Sequence, residues 1–116
     1  MGLQWEQVTV DSEDPAALAA WWNEVLDWTP VESDDPDEFE IRPQSDSSPG
    51  LLFLRVPEPK ASKNRLHIDL RPTEQAAEVQ RLLELGARRI SVGEGDVSWV
   101  VMADPEGNEF SVLRSQ

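Results

Sequence analysis

The chain repeats itself without a gap at a separation of 60 residues, so that Gln7-Val8-Thr9-Val10 falls on His67-Ile68-Asp69-Leu70. A repeat of this kind sets an architecture of two equivalent units before any single residue is weighed. In each copy a short run of alternating apolar side chains passes through a turn into an amphipathic helix, expected over residues 15–26 and 74–85. A unit of about 55 residues is marginal alone, so the two copies are expected to complete one domain spanning residues 1–116.

The first module is expected over residues 1–56. Its opening strand, residues 3–10, sets Glu6, Val8 and Val10 on one face and Trp5, Gln7 and Thr9 on the other. Asp14 is a good N-cap and Pro15 a good first helical residue. Leu18, Trp21, Trp22, Val25 and Leu26 recur at spacings of three and four, which makes these tryptophans core residues. Three extended stretches follow, at residues 28–32, 38–42 and 51–56, divided by turn-forming runs of Asp, Ser, Pro and Gly.

Residues 57–64, rich in proline and lysine, form the expected linker to a second module at 65–116. That module repeats the plan: a strand at 65–71, a helix opened by Thr73 and closed at Gly86, and strands at 88–92, 97–102 and 109–113. Gly86 stands where a left-handed cap residue belongs. The period-two and period-three-to-four patterns predict that Leu66, Ile68, Leu70, Val79, Leu82 and Leu83 are buried, with Arg65, His67, Asp69 and Arg71 on the opposite face. The fold class read from this plan is α+β, two βαβββ modules whose helices pack on the outer face of each sheet while the other faces line a cleft.

Charge and composition narrow the partners. A net charge of -13 and a pI near 4.2 leave no electrostatic footprint for nucleic acid or an anionic membrane. The chain has no cysteine, which excludes disulfides, thiolate metal sites and a cysteine nucleophile. No apolar run approaches the ~20 residues of a membrane span, and the N-terminus lacks signal-peptide character, so the protein reads as cytoplasmic.

His67 is the only histidine, and a neutral imidazole can ligate zinc, nickel or iron or act as a general base. A divalent site needs three or four ligands, so His67 would have to recruit others, such as the Gln7 amide at the equivalent strand position. The acidic run at 32–40 lacks the ligand order of a calcium loop and reads as a solvated hairpin. Residues 91–96 resemble a phosphate loop only superficially, because their acids would repel phosphate. No nucleophile elbow accompanies His67.

Residues 104–113, Asp-Pro-Glu-Gly-Asn-Glu-Phe-Ser-Val-Leu, read as a tight turn leading into a strand, with Gly107 and Asn108 able to take positive φ. With the paired modules and Arg65-Leu66-His67-Ile68-Asp69-Leu70, this segment resembles the vicinal oxygen chelate superfamily, in particular its short glyoxalase-like and bleomycin-resistance-like members. The resemblance covers nearly the whole chain. It implies cupped, mixed sheets that hold one divalent metal in the metal-dependent members. It also implies ligands from a histidine or glutamine on the first strand of each module and a glutamate on the last.

Gln7 and His67 match the first two positions, but Ser111 stands where the second module's glutamate belongs, and residues 51–54 offer no carboxylate. Glu109 lies two residues away along the strand, a displacement of roughly 6.6 Å. The metal set is therefore incomplete, and no cofactor is expected; zinc, nickel, manganese or iron at Gln7 and His67 is the alternative.

Three functions compete. The first is a small-molecule binding protein, with Trp5, Phe53 and Trp99 as apolar walls and Gln7, Arg65, His67, Asp69 and Ser111 as polar contacts. The second is a metal-dependent lyase, isomerase or dioxygenase-like enzyme of the same superfamily. The third is a non-catalytic partner or dimerisation domain. A homodimer is expected in each case, because small modules leave sheet edges and apolar surface for a symmetric partner.

Overall fold

A turn that satisfies its own backbone starts the first helix: Ser12 Oγ accepts the Asp14 N–H at 3.1 Å, and Asp14 Oδ1 accepts the Ala17 N–H at 3.2 Å. In the computed structural model, which describes residues 2–90 and 98–116, the chain divides into units Met1–Pro59 and Lys60–Gln116. Each unit is one βαβββ module, and the fold class is α+β.

The first unit contains β1 (Gln7–Ser12), α1 (Pro15–Leu26), β2 (Thr29–Val31), β3 (Glu38–Arg42) and β4 (Gly50–Arg55). Its sheet has the order β1-β4-β3-β2, with β1 parallel to β4 and the other neighbours antiparallel. Asp27 ends α1 in the left-handed conformation at φ 54°, tolerable for a residue that can bond locally. Leu18, Ala19, Trp22 and Val25 of α1 are buried with Ile41, Leu51 and Phe53 of the sheet. The intervening strand residues, Glu38, Glu40, Leu52 and Leu54, point to the sheet's other face.

The second unit contains β5 (Ile68–Leu70), α2 (Gln75–Glu84), β6 (Arg88–Arg89), β7 (Val100–Ala103) and β8 (Glu109–Val112). Its order, β5-β8-β7-β6, reproduces the first sheet, again with one parallel pair, β5 with β8. Glu74, rather than the expected Thr73, caps α2 by accepting the Ala77 N–H. At its other end Gly86 at φ 105° lets two N–H groups turn back, Gly86 to Leu83 O and Ala87 to Leu82 O. Val79 and Leu82 of α2, Met102 of β7 and Phe110 and Val112 of β8 make the core.

Two of the six residues expected in this core are exposed. Leu66 is 80% exposed and Leu83 38%. The reason is that β5 begins at Ile68, not at Arg65, so Leu66 precedes the ladder and meets no strand neighbour. Leu83 falls on the flank of α2 while Val79 and Leu82 face the sheet. Ile68 and Leu70 are half-buried, Val79 and Leu82 fully so. Residues 91–97, which include the expected glycine-acid segment and the ends of two expected strands, lie outside the described residues. Among the described residues no helix is long and apolar enough to cross a membrane.

Candidate functional site

The helix-free face of the first sheet is set by its register. Gln7 pairs with Gly50 and Thr9 with Leu52, and Leu52 pairs onward with Glu40, so these residues share one face with Arg42. Gly50 is the opening in that face. A Cβ on it would stand 2.8 Å from Glu40 Oε2, 3.0 Å from Arg42 Cγ and 3.0 Å from the Ile41 carbonyl oxygen. The missing side chain lets Arg42 reach over β4.

The Arg42 guanidinium pairs with Glu40 Oε2 at 2.5 Å and Glu6 Oε2 at 2.8 Å, and donates from Nη1 to the Ser47 carbonyl at 2.8 Å. Its side chain is 10% exposed and that of Glu40 15%, whereas Glu6 is open to solvent. Burial alone would lower the Arg42 pKa, but the hydrogen bonds and charges of Glu40 and Glu6 reverse this and raise it. Sequence reading did not single out this network. Its signal was the alternation Glu38, Glu40, Arg42, which puts three charges on one side of a strand.

In the second sheet Asp69 stands level with Ser111, which in turn pairs with Val101. Ser111 is 3% exposed, so this face carries a covered hydroxyl beside an exposed carboxylate. His67 and Arg65 are exposed and precede β5. The turn before β8 is held by Asp104, itself buried, whose Oδ1 accepts the N–H groups of Glu106 and Asn108, each at 2.9 Å. The Asn108 amide closes back on the same carboxylate, and Gly107 at φ 87° supplies the left-handed step. This fixes where β8 begins, with Glu109 taking a long contact of 3.8 Å from Lys63.

Of the aromatic walls expected from the sequence, Trp5 is 67% exposed and Trp99 45%. Phe53 is 0% exposed and alternates with Leu52 and Leu54, so its ring belongs to the core on the α1 side. Among the described residues no group of three or more His, Asp or Glu side chains could hold a metal ion. The glutamate position of the metal-dependent pattern is filled by the covered, neutral Ser111, a donor set that does not fit a divalent metal.

Topology and these faces define a glyoxalase-like fold. The glyoxalase-like domain family matches residues 7–113, and the chain belongs to it. A glyoxalase/bleomycin resistance protein/dioxygenase family enzyme from Burkholderia phytofirmans PsJN is similar in structure, with a TM-score of 0.77 at 18% identity over 98% of this chain and 100% of that one. An antibiotic binding protein from Streptomyces sp. CB03234 has a TM-score of 0.67 at 17% identity, covering 100% and 99%. The bleomycin resistance determinant encoded on transposon Tn5 has a TM-score of 0.61 at 15% identity, covering 98% and 99%. None of the curated proteins matches the sequence.

Proposed function

We propose that this glyoxalase-like protein is a binder of small organic molecules that works without a catalytic metal. The observation that carries this reading is Ser111: a covered hydroxyl, level with Asp69, occupies the position where a metal-dependent relative needs an anionic ligand. Gln7 beside the Arg42–Glu40 pair in one module, and Arg65, His67 and Asp69 in the other, supply polar contacts. Trp5 and Trp99 supply exposed aromatic surface. The Streptomyces protein of the same fold binds an antibiotic, which supports a ligand of that size class. The same reading makes modules 1–56 and 65–116, joined by 57–64, one cytoplasmic domain. It also makes the protein a homodimer, which sedimentation separates from the 13.1 kDa monomer.

Calorimetric titration with zinc, nickel and manganese, beside a thermal-shift screen of small molecules, tests the proposal. The wild type is expected to bind no stoichiometric metal, and Ser111→Glu to gain metal affinity that a further His67→Ala removes. Tight one-to-one metal binding by the wild type, lost in His67→Ala, would replace this reading with the metal-dependent lyase, isomerase or dioxygenase-like enzyme.

A further inference from the structure

A second concavity lies on the opposite side of the first sheet from Gln7. It is a groove of about 540 Å³ between α1 and the β2–β3 edge, within the size range of small-molecule sites. Its existence follows from residue choice: Ala16, Ala19 and Ala20 fall three and four apart on one face of α1, and none has a side chain long enough to reach the edge strand. Phe39 and Pro30 add further apolar lining.

The end of the groove nearest the C-terminus of α1 is electrically unbalanced. Glu24 and Asp27 line it, and the last turn of α1 contains no basic residue. Helix carbonyls at a C-terminus already carry partial negative charge, so two carboxylates there add to it. Among the described residues no lysine or arginine pairs with either one, whereas Glu40 further along is matched by Arg42. Asn23, one turn before Asp27 on the same wall, has a buried Oδ1 with no hydrogen-bond donor among the described residues. Apolar lining, unpaired carboxylates and an unsatisfied acceptor together complement one chemistry, an apolar body carrying a protonated amine.

We propose that the α1/β2–β3 groove is a binding site for amphiphilic amines, with the ammonium at Glu24, Asp27 and Asn23 and the apolar body against Ala16, Ala20 and Phe39. The site meets the helix-free face at Glu40 and does not depend on that face's role.

Calorimetry of the full chain with 2-naphthylmethylamine, 2-naphthylmethanol and 2-naphthylacetate reads it out. The amine is expected to bind about tenfold more tightly than the alcohol, and the acid not at all. Glu24→Gln combined with Asp27→Asn should erase the preference for the amine, asparagine being at ease in the left-handed conformation of residue 27. Ala20→Phe, on an exposed position, should fill the groove and abolish amine and alcohol binding together. Equal binding of amine and acid by the wild type would overturn the proposal, as would amine binding that survives the double variant unchanged. So would a wild type that associates with itself, does not bind the amine, and becomes monomeric in Ala20→Phe. If Ala20→Phe does not fold, the charge-neutral double variant decides alone.

Discussion

The two modules share a topology but hold their shape by different means. The first has strands β1 and β4 of six residues each and a twelve-residue helix dominated by alanine, tryptophan and other apolar side chains. The second has a three-residue β5, a two-residue β6 and a ten-residue helix. It compensates with polar stitches: Gln75 Nε2 shares its two N–H groups among the carbonyls of Ser98, Val112 and Leu113, and Asp104 gathers the turn before β8. Long ladders and apolar area tie the first module, while side-chain bonds to backbone tie the second. Their helix-free faces differ accordingly, an ion pair laid over Gly50 in one and a covered serine in the other.

The largest effects should come from the cores, where the modules are alike. Phe53→Ala and Phe110→Ala, at 0% and 1% exposure, should each cost about 3–5 kcal/mol in denaturant unfolding. A Phe53 variant of unchanged stability but weakened ligand binding would return that ring to the wall of a ligand site.

Asp104→Ala should come next, at about 1–3 kcal/mol, because two turn N–H groups lose their acceptor in a buried place. Hydrogen exchange should rise first at Glu106 and Asn108. Exchange unchanged there would show that the polar stitch is not what holds the second module's turn.

Gly50→Ala should cost roughly 1–2 kcal/mol, since steric conflict with Glu40 and the Ile41 carbonyl outweighs the entropy saved in the unfolded chain. Adding Glu40→Ala should recover part of that loss. No recovery would place the conflict on the backbone oxygen instead.

The smallest effect is a pH dependence. A folded-state pKa raised above the unfolded value gives Arg42 a contribution that is complete below the unfolded pKa and lost as pH rises through the folded one. The stability difference between wild type and Arg42→Met should therefore stay flat from neutral to moderately alkaline pH and shrink only in strongly alkaline solution. A difference that fades near pH ~9, measured by urea midpoints, would mean that another group titrates within the network.

Features decided by near neighbours could be read in the sequence. Pro15–Leu26 is a helix because Asp14 caps it, Pro15 suits its first turn and the apolar spacing is three to four. Gly86 and Gly107 adopt positive φ where the turns demand it, and the 60-residue repeat returns as two sheets of the same strand order. Each depends on backbone sterics or hydrogen bonds spanning a few residues, or on a periodicity that the chain displays directly.

The site depended on partners far apart in sequence. Glu6 and Arg42 are 36 residues apart and meet only because β1 and β3 both flank β4 at Gly50. Strand alternation alone could not tell whether Phe53 faces the helix or the ligand side; α1 packing against β4 decided it. Leu66 continues the period-two pattern of β5, yet the ladder starts two residues later, and an apolar residue without a neighbouring strand stays exposed. The sequence by itself determined the modules, the Asp14 cap of α1, the Gly86 cap of α2 and the turns, because those are local. Tertiary structure decided which charges pair, which aromatic ring is core and where Ser111 stands, because strand register and helix docking are set by contacts between distant segments.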